Sequence, residues 1–476
     1  MSILHPTSIT EISLQRGRDV ELHAAARWTA RPRVCVTVLL LGDVAALTMS
    51  ATISVLIWRH FGVDFSTEFY GRLWPVLLLF PAAYAASGLY PGFGRNPADE
   101  LRKLSIATSV VCAAFAITIF LLKDSATYSR GVFLLAWGQT LLLVPLFRAL
   151  TRSLCSRKPW WGHSVVVVGS SNAASGIAET LRSHPELGFR PVAIFKDPEL
   201  AVLLARERRI RHVILAMADV PPQTLRIFFD YCSEAFSDVI VIPDLAGFSS
   251  LWVEARDLRG MLGLEVKQRL LVPRARHLKR ALDVCMVTLA GLVALPLIVL
   301  VAALIKLTSA GPVFYGQRRF GRAGLPFTAW KFRSMVADAS QVLDHHLASD
   351  PELREEWRRS HKLKNDPRIT ALGSVLRRTS LDELPQLWNI LRGQMSLVGP
   401  RPIVAEEIPR YGDGIGLYKK VTPGLTGLWQ VSGRNNVSYE QRVNFDLYYV
   451  RNWSIWLDLH ILARTVKVVL LGDGAC

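Results

Sequence analysis

Apolar residues are distributed along this chain in three patterns. Up to residue 150 they run in long blocks. From 160 to 272 they come in short β-branched bursts, and beyond that turns and charged segments break them up. The four blocks, at 34–58, 73–90, 104–122 and 131–150, are each near the length a bilayer demands and predict four transmembrane helices within 34–150. Arg16, Arg18, Arg27, Arg31 and Arg33 precede the first block, and Arg148, Arg152, Arg157 and Lys158 follow the fourth. Arg95, Arg102 and Lys103 lie between the second and third. The positive-inside rule then makes residues 1–33 a cytoplasmic arm and returns the chain to the cytoplasm after the fourth span. No cleavable signal peptide is expected, because the first long apolar stretch starts near Val34, behind a polar arm.

The bursts at 164–168, 192–195, 212–217 and 239–243 alternate with helical stretches and predict a doubly wound parallel sheet, a Rossmann-like α/β domain over 160–272. Its first turn, Gly169 to Ser175, falls where a dinucleotide fingerprint would lie. Ser171 and Ala174 replace the later glycines, so the expectation is a regulatory or structural module. The next apolar run, 284–305, carries Pro296 at its middle and basic residues on both flanks: Arg274, Arg276, Lys279 and Arg280 before, Lys306, Arg318, Arg319 and Arg322 after. A central proline and symmetric flanks predict a broken, re-entrant helix over 281–307, entering and leaving by one face.

Candidate chemistry gathers downstream. Ser380 and Glu383 fit an S-x-x-E capping box, which predicts a helix from there to about Gly393. Asp382 would stand in its first turn, close to Arg377 and Arg378, where dipole and cations favour the ionised form. An ionised carboxylate can attack phosphorus, and Glu383 is a hard oxygen ligand for Mg²⁺. Lys331 and Arg333 alternate at the end of a predicted hairpin. Arg401 stands between Pro400 and Pro402, and Arg434 lies in a glycine-rich loop at 423–435.

Half the residues are hydrophobic and the net charge is +17, which suits anionic lipid or phosphorylated substrates. No RNA-recognition or zinc-finger signature is present, so no nucleic acid is expected as partner. The six cysteines are scattered without a C-x-x-C pair, and His345-His346 reads as a solvated helix face.

The set W-K-F-R-S-M, D-P-R-I-T, L-R-R-T-S-L-D-E-L-P-Q-L, M-S-L-V-G-P-R-P and P-G-L-T-G-L-W-Q-V-S-G-R-N resembles the bacterial sugar transferases that are polyprenyl-phosphate hexose-1-phosphate transferases. The likeness covers about 275–476. The spans and the α/β domain resemble the long form of the family, nearest its galactose- and glucose-transferring members. The resemblance implies a membrane α-helical N-terminal bundle, the Rossmann-like α/β middle domain, and a mainly α-helical monotopic catalytic domain at 275–476 whose re-entrant helix breaks at Pro296. It implies a bacterial inner-membrane protein with its catalytic domain on the cytoplasmic side. It also implies that Asp382 attacks a UDP-hexose, releases UMP and passes the phosphosugar to undecaprenyl phosphate, with Glu383 binding Mg²⁺. Lys331, Arg377, Arg401, Arg434 and Asp458 fall on matching family positions and are expected at the substrate, as is Arg333. The lipid bilayer is a partner, and homo-oligomers are compatible with this reading. Two alternatives stand beside it: the same chemistry on an N-acetylated UDP-sugar, and a membrane-anchored NAD-dependent sugar-modifying oxidoreductase built on 160–272. The second requires an intact glycine fingerprint and a Y-x-x-x-K pair, and the chain has neither there.

Overall fold

The structure is a computed structural model. It describes residues 21–22, 30–61, 74–121, 129–217, 222–243, 253–258, 261–266, 270, 272–336, 338–349, 353–355, 363, 366–432 and 437–471. The chain forms two compact units, Met1–Phe248 and Ser249–Cys476.

In the first unit, α1 (Pro32–His60) is followed by a short α2 (Leu79–Ala86), then α3 (Pro97–Leu121) and α4 (Arg130–Cys155). The three long helices are apolar and long enough to cross a membrane. Of the second expected span, the described residues hold the turn Trp74–Leu78 and α2, which together are shorter than the other three helices. Gly88, at φ 68°, ends the helix, and Leu89 N–H closes it on Tyr84 O. The bundle interior holds a charged cluster. Arg148 of α4 donates from Nε to Asp43 Oδ1 at 2.8 Å, from Nη2 to Asp43 Oδ2 at 2.6 Å and from Nη1 to Glu100 Oε1 at 3.1 Å. Charges are retained in an apolar bundle only when paired in this way.

The expected α/β pattern follows. Strands β1 (His163–Gly169), β2 (Phe189–Phe195), β3 (His212–Met217) and β4 (Asp238–Pro243) alternate with α5 (Ser171–Ser183), α6 (Pro198–Arg208) and α7 (Pro222–Ser233). They pair in parallel in the order β2-β1-β3-β4, and a two-residue strand, Glu21–Leu22, adds antiparallel to β2. Gly169 serves packing here. A Cβ on it would meet Ala216 O of β3 at 2.1 Å. Ala174, where the fingerprint would have glycine, is buried against Val167, Ile194 and Ala216.

The second unit opens with a hairpin of β5 (Val253–Leu258) and β6 (Met261–Val266), then α8 (Pro273–Thr308). The expected break at Pro296 is corrected: α8 is one continuous helix with Pro296 inside it. A proline removes one hydrogen bond and crowds the preceding turn. Packing on both sides offsets this, with Val287 set against Phe327, Ala329 and Ile390, and Val301 and Ile305 against Phe332 and Leu376. The outer face is apolar and bare, with Leu292, Val293, Val299 and Leu307 exposed. Next come the antiparallel hairpin β7 (Phe314–Phe320) and β8 (Pro326–Phe332), α9 (Ala339–Ser349) and α10 (Ala371–Arg378). After the turn Leu381–Glu383 follow α11 (Gln386–Leu391), β9 (Ser396–Val398), β10 (Gly424–Thr426), α12 (Tyr439–Asn452) and α13 (Ile455–Leu471). Strands β9 and β10 pair in parallel.

Candidate active site

The site is built on β8 and the two short helices beside it. Asn389 of α11 is fully buried and joins that helix to the strand. Its Oδ1 accepts from Trp330 N–H at 3.1 Å, and its Nδ2 donates to Thr328 O at 2.7 Å. Lys331 is thereby held at a fixed place on β8. Helix α10 starts at Thr370, whose Oγ1 accepts from Gly373 N–H at 2.9 Å. Gly373 lies so close to Ser334 that a Cβ would meet Ser334 O at 2.0 Å. This approach brings Arg377 to Ser334, with Nε donating to Oγ at 2.8 Å.

The capping box does not form, and this expectation is corrected. Ser380 has φ 56° and ψ 17°, and its side chain caps nothing. Residues 381–383 make a single 3-10 turn, and the six-residue α11 starts only at Gln386. Glu383 is engaged elsewhere: Lys331 Nζ donates to its Oε1 at 2.6 Å and lies 3.6 Å from Asp382 Oδ2. Burial raises the Asp382 pKa above the usual aspartate range. Lys331 and Arg377 pull it down, and Glu383 pushes it up. The expected net stabilisation of its ionised form is therefore corrected: Lys331 and Arg377 favour the carboxylate, but burial outweighs them, and no helix N-terminus stands at Asp382. Burial also acts to raise Glu383, but Lys331 and Arg401 outweigh it and hold that carboxylate below its ordinary range.

Both carboxylates face a cavity of about 970 Å³, whose walls also carry Lys331, Arg333, Arg377 and Arg401. Four expected substrate-binding cations are thus brought together around the two carboxylates. Arg333 is buried, with Nη2 bonded to Ser309 O at 2.8 Å and with Nε and Nη1 unpartnered. Arg401 lies 5.5 Å from the Trp429 ring centre, and Arg442 lies 5.0 Å from the same ring. Arg434 lies outside the described residues. Asp458 is not on the cavity wall. It is buried and accepts from Lys279 Nζ at 2.7 Å, Tyr449 Oη at 2.7 Å and Trp453 Nε1 at 2.9 Å, so its place at the substrate is corrected to one inside the fold. Sequence reasoning missed Arg368 and Trp429 on the cavity wall, although both stand within motifs it had singled out. Arg368 is oriented by a fork onto Asp366, at 2.8 and 2.6 Å.

The family model described as bacterial sugar transferase matches residues 274–472, and one described as CoA-binding domain matches 85–243. Over 395 residues the chain is 39% identical to an undecaprenyl-phosphate galactose phosphotransferase of Salmonella typhimurium, covering 79% of this chain and 82% of that one. The chain belongs to the bacterial sugar transferase family. This transferase is also 34% identical over 324 residues to UDP-glucose:undecaprenyl-phosphate glucose-1-phosphate transferase of Escherichia coli, covering 63% and 66% of the two chains. It is 50% identical over 197 residues to the exopolysaccharide production protein ExoY of Rhizobium meliloti, a match spanning 41% of the transferase and 87% of ExoY. The oxidoreductase alternative gains no support from these relatives or from the packing roles of Gly169 and Ala174.

Proposed function

We propose that this enzyme transfers galactose- or glucose-1-phosphate from a UDP-hexose to undecaprenyl phosphate, the initiating step of exopolysaccharide, capsule or O-antigen synthesis. The names of its relatives support this substrate class. The observation that carries the mechanism is Asp382, buried on a cavity wall 3.6 Å from Lys331 Nζ and among three arginines. An Asp382 oxygen attacks the β-phosphorus of the UDP-hexose. The bond from that phosphorus to the UMP oxygen breaks, UMP leaves, and an aspartyl-phosphohexose remains. A phosphate oxygen of undecaprenyl phosphate then attacks the same phosphorus and frees the Asp382 carboxylate. Lys331, Arg333, Arg377 and Arg401 offset the charge of the diphosphate and of the lipid phosphate, and phosphoryl transfer depends mainly on such positioning.

Mg²⁺ suits the donors present. No group of three or more His, Cys, Asp or Glu forms a cage among the described residues, but Mg²⁺ is commonly held by one or two carboxylates with substrate phosphates completing its shell. Glu383, kept ionised by its cations, would hold it, with Asp382 beside it. The ion would supply further neutralisation of the diphosphate.

The monotopic, cytoplasmic-side arrangement is part of the same proposal. Val287 and Val301 lie on opposite sides of Pro296, yet both pack on the layer built from β8, the strand that carries Lys331. If α8 crossed the bilayer alone, this strand and the charged Lys331 on it would have to enter the hydrocarbon with it. A helix bound to β8 on one face and bare and apolar on the other suits an anchor dipping into one leaflet.

Incubation with UDP-hexose and no acceptor tests the mechanism. The expected result is UMP release and a hexose-phosphate mass on the peptide containing Asp382, both absent in Asp382→Asn. No adduct, together with kinetics that require both substrates before UMP leaves, would establish direct transfer instead.

A further inference from the structure

A second cavity, of about 980 Å³, lies within the first unit. Arg31 and Arg33 line it from the start of α1, and Arg208, Arg209 and Arg211 from the end of α6 and the turn into β3. All five arginines are exposed, and none of them is in an ion pair among the described residues. Asp238 is the one carboxylate on its wall among the described residues, and it lies 3.4 Å from His212 Nδ1. Five guanidinium groups around one hollow repel one another, and a bound anion reverses the sign of that interaction. The carboxyl end of α6 opposes an anion with only about half an elementary charge, against five full positive ones. Arg209 itself holds φ 53°, the left-handed position where glycine or asparagine usually ends a helix.

Position narrows the ligand. His163, His212 and Asp238 open β1, β3 and β4, so the cavity lies at the amino ends of the parallel strands. Dinucleotides bind doubly wound sheets at the opposite, carboxyl ends. Helix α1 is long and apolar enough to cross a bilayer, and Arg31 and Arg33 stand at its first turn, the level of lipid headgroups. Arginine forks match phosphate oxygens in pairs.

We infer that this cavity binds a phosphate-bearing anion at the membrane surface, either the headgroup of an anionic phospholipid or a free phosphate.

The full chain in nanodiscs tests this in two arms. In the first, phosphatidylglycerol is a minor component in phosphatidylcholine, and native mass spectrometry counts the retained lipid. In the second, discs of phosphatidylcholine alone are titrated with inorganic phosphate at constant ionic strength and followed by thermal shift. Arg31→Gln, Arg208→Gln and Arg211→Gln are each expected to weaken binding roughly fivefold. Arg206→Gln, an exposed arginine of α6 outside the cavity, is the control and is expected to leave binding unchanged. Lipid retention lost in the three variants assigns the site to a headgroup. A phosphate shift lost in the same variants, without lipid retention, assigns it to a free phosphate. Equal loss in Arg206→Gln, or no binding in either arm, overturns the proposal.

Discussion

Lys331 Nζ lies 2.6 Å from Glu383 Oε1 and contacts Asp382 only at 3.6 Å, so the ammonium group bonds the second carboxylate and steadies the first through space. Asp382, the buried carboxylate expected to attack phosphorus, therefore owes part of its charge to a lysine whose own hydrogen bond goes elsewhere.

Removing that lysine moves the pH profile. Burial raises the Asp382 pKa and Lys331 lowers it, so Lys331→Gln raises it further. A nucleophile must be deprotonated, so activity is lost as pH falls through this pKa. The acid limb of kcat in Lys331→Gln is expected at higher pH than in wild type. A limb that stays in place, measured across pH 5 to about 9, would separate Lys331 from the ionisation of Asp382.

Arg333 offers two buried donors with no hydrogen-bond partner among the described residues. Arg333→Lys keeps the charge but loses the planar fork and is expected to lower kcat/KM roughly 10- to 100-fold, with the melting temperature nearly unchanged. Steady-state kinetics with UDP-hexose, beside a thermal melt, checks both.

Asp446 affects stability rather than chemistry. Burial pushes its pKa up to about 7, against the lowering effects of the Tyr411 hydroxyl and Arg442. The folded state then holds a proton that the unfolded state releases near the ordinary aspartate value of 3.8. Its stabilising contribution is full below that value, declines as pH rises toward about 7, and is absent above. Chemical denaturation across this window is expected to show that decline, and Asp446→Asn is expected to flatten it.

Asp458 gives the contrasting case. Lys279→Met leaves its carboxylate buried beside Asp283 without the ammonium that neutralised both. The expected loss is about 3–5 kcal/mol of stability, read as a lower melting temperature, with the adduct on Asp382 still forming at permissive temperature.

The parts of this protein set by local pattern were legible in its sequence. The four parallel strands of the α/β region follow from β-branched bursts between helical stretches, and Lys331, Arg333, Arg377 and Arg401 were marked by their motifs. Other features depend on distant partners. Ser380 and Glu383 spell a helix start, yet a lysine on another strand takes the Glu383 carboxylate and the Ser380 backbone turns left-handed. The helix through Pro296 survives because Val287, Val301 and Ile305 find a packing surface that no local pattern reveals. Asp458 has a family-matching position and a carboxylate, but only the fold shows that Lys279, Tyr449 and Trp453 occupy it.

The root of α8 has a practical consequence. Asp283 accepts from Ser396 Oγ at 2.7 Å, Lys279 bonds Asp458, and Arg280 donates to the last carbonyls of α11, at Ile390 and Leu391. A truncated chain beginning after Thr308, made to obtain a water-soluble enzyme, would lose all of these bonds along with the apolar helix. It would leave Asp458 buried without the ammonium of Lys279, Ser396 without Asp283, and the end of α11 uncapped. Solubility has to come from polar replacements on the bare face, at Leu292, Val293 and Val299, with the helix itself kept.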